Sequence, residues 1–148
     1  WDLEVVGGGP LAADLEGLEG VTVRGVAQPA DLADLMQECS CLVLPSHIEW
    51  YGVVLHEAAA AGLPLISTNQ VGAVPHLLQD GFNGWTIAAG DERGLVDAMT
   101  RMSAVPADRM QTMSDGSRAL ASRLSPPVWA LNLHEELERR VGREVGAR

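Results

Sequence analysis

The sequence predicts an α/β protein: a parallel sheet of about five strands with helices on both faces, followed by a helical C-terminal tail. Three observations predict it. Short apolar runs of strand type, at residues 3–6, 21–24, 41–44, 63–68 and 85–88, alternate with runs of helix type, and such alternation argues for parallel strands joined by covering helices. Glycine stands where the first three of these strands give way to helices: Gly7-Gly8-Gly9, Gly25 and Gly52. The length of 148 residues with 47% hydrophobic content suits one globular domain with a usable core. Together these describe a Rossmann-like arrangement.

Charge narrows the function. The chain has no Lys; residues 1–90 hold one Arg (Arg24) against eleven acids, whereas residues 91–148 hold nine Arg and nine acids. Nucleic acid as a partner therefore has no electrostatic support. A phosphate bound by the first 90 residues must rely on local dipoles or on cations from outside the chain. No apolar run reaches the length of a membrane span and no signal peptide precedes the first strand, so the expectation is a cytoplasmic protein without a transmembrane segment. Cys39 and Cys41, two apart at a strand start, share a face and suit neither a disulfide nor a metal site; they are expected to be buried free thiols.

Taken in order, residues 3–6 form the first strand, and Gly7-Gly8-Gly9 turns into a helix led by Pro10, whose missing N–H costs nothing there. Gly7-x-Gly9-x-x-Ala12 loosely fits a dinucleotide fingerprint, but the next strand ends in Arg24-Gly25 with no acid to hold a ribose. A tight strand-to-helix turn explains the glycines equally well. Residues 29–38 read as an amphipathic helix with Leu32, Leu35 and Met36 inward and Asp31 and Asp34 solvated.

The third strand, 41–44, leads to the most informative stretch, residues 45–57: Pro-Ser-His-Ile-Glu-Trp-Tyr-Gly-Val-Val-Leu-His-Glu. Glu49 is expected in the loop at the strand's carboxyl end and Glu57 about a turn and a half inside the next helix, with Gly52 at the helix start. Ligands of open α/β sheets bind at such strand ends, and a helix start offers free N–H groups and a positive dipole end to an anion. A carboxylate at Glu57, among apolar neighbours, needs donors if buried; a ribose diol has two. The plain alternative is that Glu57 is exposed or pairs with an Arg. His47 and His56 flank the stretch and read as structural rather than as bases.

Beyond it, residues 63–68 form a strand with Pro64 at its start, 71–78 a loop running into a short helix, and 80–84 a turn into the last strand. Asp91 caps a helix with Leu95, Val96, Met99 and Met102 at helical spacing. Residues 107–124 carry Met110, Met113, Leu120 and Leu124 on one stripe. Pro126-Pro127 breaks the run, and a helix over 128–140 restarts with Trp129, Leu131, Leu133 and Leu137 opposite a face of Glu135, Glu136, Glu138, Arg139 and Arg140. The residues to Arg148 are expected to fray.

The pattern Pro45-Ser46-x2-Glu49-x2-Gly52-x4-Glu57-Ala58-x3-Gly62-x-Pro64 resembles the signature of family 4 (group 1) retaining glycosyltransferases of the GT-B fold, in their C-terminal, donor-binding domain. The match continues through Gly72 to Pro75 and Asp80-Gly81-x-Asn83-Gly84, and upstream through Val5-Val6-Gly7-Gly8-Gly9-Pro10, so that it covers residues 3–102 in order. The resemblance implies that residues 1–105 are a nucleotide-sugar-binding Rossmann-like domain lacking its first βα unit, with 106–148 as C-terminal helices packing on it. It implies a diphosphate at the helix start near Gly52 and Val53 and backbone N–H groups from Tyr51 to Val53 beside it. Ser46 joins this set, Glu57 holds the ribose, and Glu49 holds a donor-sugar hydroxyl as the catalytic candidate. Gly8 and Gly9 face phosphates, and backbone at Val26 meets the base. No metal or other cofactor is expected.

Trp50 and Tyr51 stand where the family more often has a small residue and Phe, and His76 where it has Glu. The implied first βα unit, which normally brings the Arg and Lys that clamp the diphosphate and a strand near the middle of the sheet, has no counterpart in this sequence; nor has the N-terminal acceptor domain, expected then from elsewhere or from a partner chain. The residues leave other readings open: a non-catalytic nucleotide-binding or interaction module of the same fold, or an NDP-sugar epimerase. A glycosidase pair is disfavoured, since Glu57 lies inside an apolar helix.

Overall fold

The computed structural model describes residues 1–145, with side chains through residue 139. The chain divides into two compact units, Trp1–Ser40 and the part from Cys41 onward.

In the first unit β1 (Leu3–Val6) and β2 (Val21–Gly25) pair in parallel, Leu3 opposite Val21, with an irregularity between Val5 and Val6. Arg24 and Glu4 form an ion pair across the ladder at 2.6 Å. The helix expected from Pro10 onward is a four-residue turn, α1 (Ala12–Leu15); it has no side-chain cap and returns to extended backbone at Glu16, too short to sustain itself without packing. α2 (Pro29–Glu38) opens with Pro at its first position and buries Met36, with Leu32 and Leu35 half-buried beside it, as its periodicity predicts.

The second unit holds β3 (Leu42–Leu44), β4 (Leu65–Thr68) and β5 (Gly84–Ile87), a parallel sheet in the order β3-β4-β5 with Leu42 opposite Leu65 and Leu65 opposite Gly84. Around it are α3 (Val53–Ala61), α4 (Val74–Leu77), α5 (Glu92–Ser103), α6 (Ala107–Ser122) and α7 (Pro126–Val145). Every residue of β4 is buried, as expected of a parallel strand covered on both faces. Its two polar residues have partners: Ser67 donates to the Leu44 carbonyl at 3.1 Å and Thr68 to the Ser46 carbonyl at 2.6 Å. One core cluster joins Ile66, Ile87, Ala98, Met102 and Met113. Asn83 is buried and fully engaged: it takes the Gln79 N–H and donates to the Leu77 carbonyl and the Ser117 hydroxyl.

The protein is thus α/β with parallel strands, helices and a helical C-terminal tail. The five expected strands are present, two in a ladder within the first unit and three within the second. Asp91 caps α5 as predicted, accepting the Gly94 N–H at 2.9 Å. Three expectations need correction. Val96 is exposed, because α5 turns Ala98 and Met102 inward instead. The two cysteines form no disulfide with each other and are half-buried, and they do not share a strand face: β3 begins at Leu42, and Cys39 ends α2. Partial burial, with Glu4 and Glu38 adding to it, pushes the Cys39 thiol pKa up. In α7, which starts at the proline pair itself, Trp129, Leu131, Leu133 and Leu137 are exposed. Of the residues expected to fray, those through Val145 continue α7, and 146–148 lie outside the described residues, as does the Arg140 side chain. No helix among the described residues is long and apolar enough to cross a membrane.

Candidate functional site

β3 ends at Leu44, and residues 45–52 form the loop that the sequence singled out. Its backbone is latched to residues 70–73. Glu49 bridges Val71 in parallel fashion; the Glu49 N–H donates to the Gln70 carbonyl at 3.0 Å, Gly72 N–H to the Glu49 carbonyl at 3.0 Å, and Ala73 N–H to the Tyr51 carbonyl at 2.8 Å. Two glycines permit this. A Cβ at Gly72 would collide with the Trp50 carbonyl. Gly52 sits at φ 86°, and a Cβ there would lie 2.6 Å from Val71 Cγ1, so an L side chain meets both backbone strain and a buried wall.

Gly52 is also the N-cap of α3. Its carbonyl accepts the Leu55 N–H at 2.9 Å and the His56 N–H at 3.4 Å, and no side chain caps the helix. The N–H groups of Gly52, Val53 and Val54 therefore have no acceptor among the described residues, and the helix dipole adds positive potential there. The half-buried Glu49 precedes this point, and its Oε1 takes only the Tyr51 N–H, at a long 3.4 Å. Glu57 lies about 7.5 Å along the helix axis from Gly52, by the rise per residue. It is exposed and makes no hydrogen bond or ion pair among the described residues, which is the plain alternative considered from sequence, without the Arg. Ser46 is half-buried, with its carbonyl held by Thr68. Tyr51 and Val53 are exposed, and Trp50 projects with 94% of its surface free.

The structure thus brings Ser46, Glu49, Tyr51, Gly52 and Val53 together on one loop and helix start, with Glu57 further along the same helix. The arrangement offers free N–H donors to an anion and two carboxylates to hydroxyl groups. Among the described residues, the guanidinium bonded to α3 is that of Arg118, at the opposite end of the helix, donating to the Ala61 carbonyl at 3.2 Å. Gly8, Gly9 and Val26 lie in the first unit. A Cβ on Gly8 would stand 3.6 Å from Val26 Cγ2, so the turn after β1 and the residue after β2 adjoin. The Gly8 and Gly9 N–H groups have no acceptor among the described residues, while Gly9 accepts the Ala12 N–H.

Sequence reasoning missed the residues that hold this loop and helix in place. Thr68 and Gln70 fix the loop from β4's end. Ser114 and Arg118 of α6 close the last turn of α3. His56, which reads as structural in the sequence, bonds Tyr51 and α6. Only the short spacing of Tyr51 and His56 hinted at contact; Ala121, the other partner of His56, is 65 residues away.

A family model described as "Glycosyl transferases group 1" matches residues 1–104. The chain is 35% identical over 106 residues to an O-antigen chain mannosyltransferase C of Escherichia coli, covering 66% of this chain and 29% of that protein. It is 31% identical over 134 residues to a D-inositol 3-phosphate glycosyltransferase of Mycobacterium avium, covering 82% and 31%. The chain thus spans about three tenths of the length of these curated relatives. Among solved structures, sucrose-phosphate synthase from Thermosynechococcus elongatus superposes with a TM-score of 0.77 at 24% identity over 96% of this chain and 39% of that one. HepE from Anabaena, solved in complex with UDP-glucose, gives 0.64 at 23% identity over 75% and 30%. At these identities the two structures show the shared fold.

Proposed function

Because the chain belongs to the glycosyl transferases group 1 family, we propose that it is the donor-side half of a retaining glycosyltransferase, binding a nucleotide-diphosphate sugar for transfer to an acceptor hydroxyl without a metal. One observation carries the reading: the start of α3 presents three consecutive N–H groups without an acceptor among the described residues, between a half-buried Glu49 and an unpaired Glu57.

In this reading the diphosphate takes the N–H groups at Gly52 and Val53, where the helix dipole favours negative charge. Glu57 accepts the ribose hydroxyls. Glu49 exchanges its long contact with the Tyr51 N–H for a donor-sugar hydroxyl and stands beside the anomeric carbon, whose bond to the diphosphate breaks while a bond to the acceptor oxygen forms on the same face. Ser46 anchors the loop through its carbonyl. Within the first unit, Gly8 and Gly9 serve as phosphate contacts and the Val26 backbone as a base contact. Residues 1–105 then belong to the nucleotide-sugar domain, with 106–148 as its helical extension. The acceptor-binding part, and cations to offset the leaving-group charge, come from outside these 148 residues; the one Arg in residues 1–90 and the partial coverage of longer relatives support this.

Calorimetric titration with uridine and guanosine diphosphates, beside Glu57→Ala, tests the reading. Saturable binding weakened by about 1–3 kcal/mol in the variant is the expected result, the scale of losing a charged hydrogen-bond partner; no binding by the parent would refute a working donor site. The scarcity of cations in residues 1–90 favours one second reading, a non-catalytic module of the same fold. Diphosphate binding with no sugar transfer once the acceptor-binding part is supplied would select it, and alteration of the donor sugar without an acceptor would select an epimerase.

A further inference from the structure

α3 is tied to α6 at two levels. At its C-terminal end Arg118 donates to the Ala61 carbonyl at 3.2 Å and Ser114 to the Gly62 carbonyl at 2.5 Å. Those bonds fix the helix but touch nothing near its start. The second tie is the half-buried His56, one residue before Glu57. Its Nε2 lies 3.4 Å from the Ala121 carbonyl of α6, and its Nδ1 lies 3.4 Å from the Tyr51 hydroxyl. The two rings meet edge to face, 6.4 Å apart at 67°.

The chemistry of the three groups fixes the direction of both bonds. A carbonyl oxygen only accepts, so the Nε2 must carry the proton. In the neutral imidazole Nδ1 is then a bare lone pair, and the Tyr51 hydroxyl must donate to it. The chain of donors runs Tyr51 O–H to His56 Nδ1, and His56 Nε2–H to Ala121 O. Tyr51 is also the residue whose N–H reaches Glu49 Oε1 at 3.4 Å and whose carbonyl takes the Ala73 N–H at 2.8 Å. Its side chain is therefore held from α6 and its main chain from residues 49 and 73, immediately before the left-handed Gly52.

We propose that His56 is a positioning residue for the nucleotide-sugar site: by bridging Tyr51 to α6 in a single tautomer, it sets the turn that aims the Glu49 carboxylate and the free N–H groups at the start of α3. The inference rests on the reading of residues 45–57 as that site. Its signature is that two side chains to which no phosphate contact is assigned control affinity together.

The probe is UDP, titrated calorimetrically into the protein, with the thermal midpoint of each variant recorded. His56→Leu keeps the bulk and removes both bonds; Tyr51→Phe removes only a hydroxyl at an exposed ring and leaves folding intact. Each is expected to weaken UDP binding about three- to tenfold, the scale of one hydrogen bond. The double variant is expected to be no weaker than either single one, as for residues acting as a unit. His56→Gln, whose amide can donate to Ala121 and accept from Tyr51, restores affinity. A His56→Leu protein with a lowered thermal midpoint and unchanged UDP affinity, or additive losses in the double variant, overturns the proposal. Should the parent not bind UDP, the donor-site reading fails and this positioning role with it. The bridge itself is read separately from the imidazole nitrogen resonances: the Nε2–H tautomer with an Nδ1 signal that moves in Tyr51→Phe is expected, and an Nδ1–H tautomer contradicts the bridge.

Discussion

The two units are built from the same parts, parallel strands each followed by a helix, and they reach different ends. From Cys41 onward β4 has a strand on either side and helices over its faces, and all four of its residues are buried. In Trp1–Ser40, among the described residues, β1 and β2 make a ladder of two, Met36 is the buried core side chain, and the apolar Leu3 and Val6 stay exposed at the strand ends. The difference teaches that an apolar strand sequence does not by itself make a core. Burial needs neighbours on the edges and cover on the faces, and a two-stranded ladder supplies neither. The loop with its two carboxylates, Glu49 before it turns into α3 and Glu57 after, stands on the well-covered unit.

The sharpest way to break this comparison is at the glycine that starts α3. Gly52→Ala is expected to cost about 3 kcal/mol or more in urea denaturation, combining positive-φ strain with overpacking against Val71; a cost below about 1 kcal/mol would show that the loop is not held as described. Next in size is Asn83→Ala. It strands the Gln79 N–H, the Leu77 carbonyl and the Ser117 hydroxyl in the second unit, with an expected loss of about 2–4 kcal/mol from buried unsatisfied groups. A smaller and more direct contrast comes from native-state hydrogen exchange. Amides of β1 and β2 are expected to exchange well before those of β4, because local opening in a poorly covered ladder is easier; equal protection would erase the distinction between the units. Arg24→Ala, which removes the ion pair with Glu4 on an exposed surface, is expected to leave the thermal midpoint without a resolvable shift.

The smallest effect concerns Cys39. Burial raises its thiol pKa, so at a given pH it holds less thiolate than a free thiol, and reactivity follows thiolate. In a Cys41→Ser background, iodoacetamide should alkylate Cys39 more slowly than a small-molecule thiol at pH 8. Faster reaction would mean that its surroundings are more open than the structure has them.

What was legible in the sequence was local. All five strands fall within two residues of the apolar runs, because short β-rich runs bounded by Gly and Pro leave little freedom. The Asp91 cap follows from Asp directly ahead of a helical apolar stripe. Glu57 lands inside α3 and Glu49 outside it because Gly52 divides loop from helix. Contacts set by distant chain were not legible. Nothing near Gly72 announces that the Trp50 carbonyl will press against it, and nothing near His56 points to Ala121. Val96 and the α7 side chains Trp129, Leu133 and Leu137 were misread for the converse reason: helical spacing shows that a residue lies on an apolar stripe, whereas burial depends on what faces the stripe.

The most direct test of the central claim, that residues 45–57 hold a nucleotide sugar, is amide hydrogen exchange of the protein with and without UDP-glucose. Slowed exchange is expected for the amides of residues 51–56, and no change across residues 128–139. Unchanged exchange at 51–56 at a UDP-glucose concentration that protects amides elsewhere in the chain would contradict the claim.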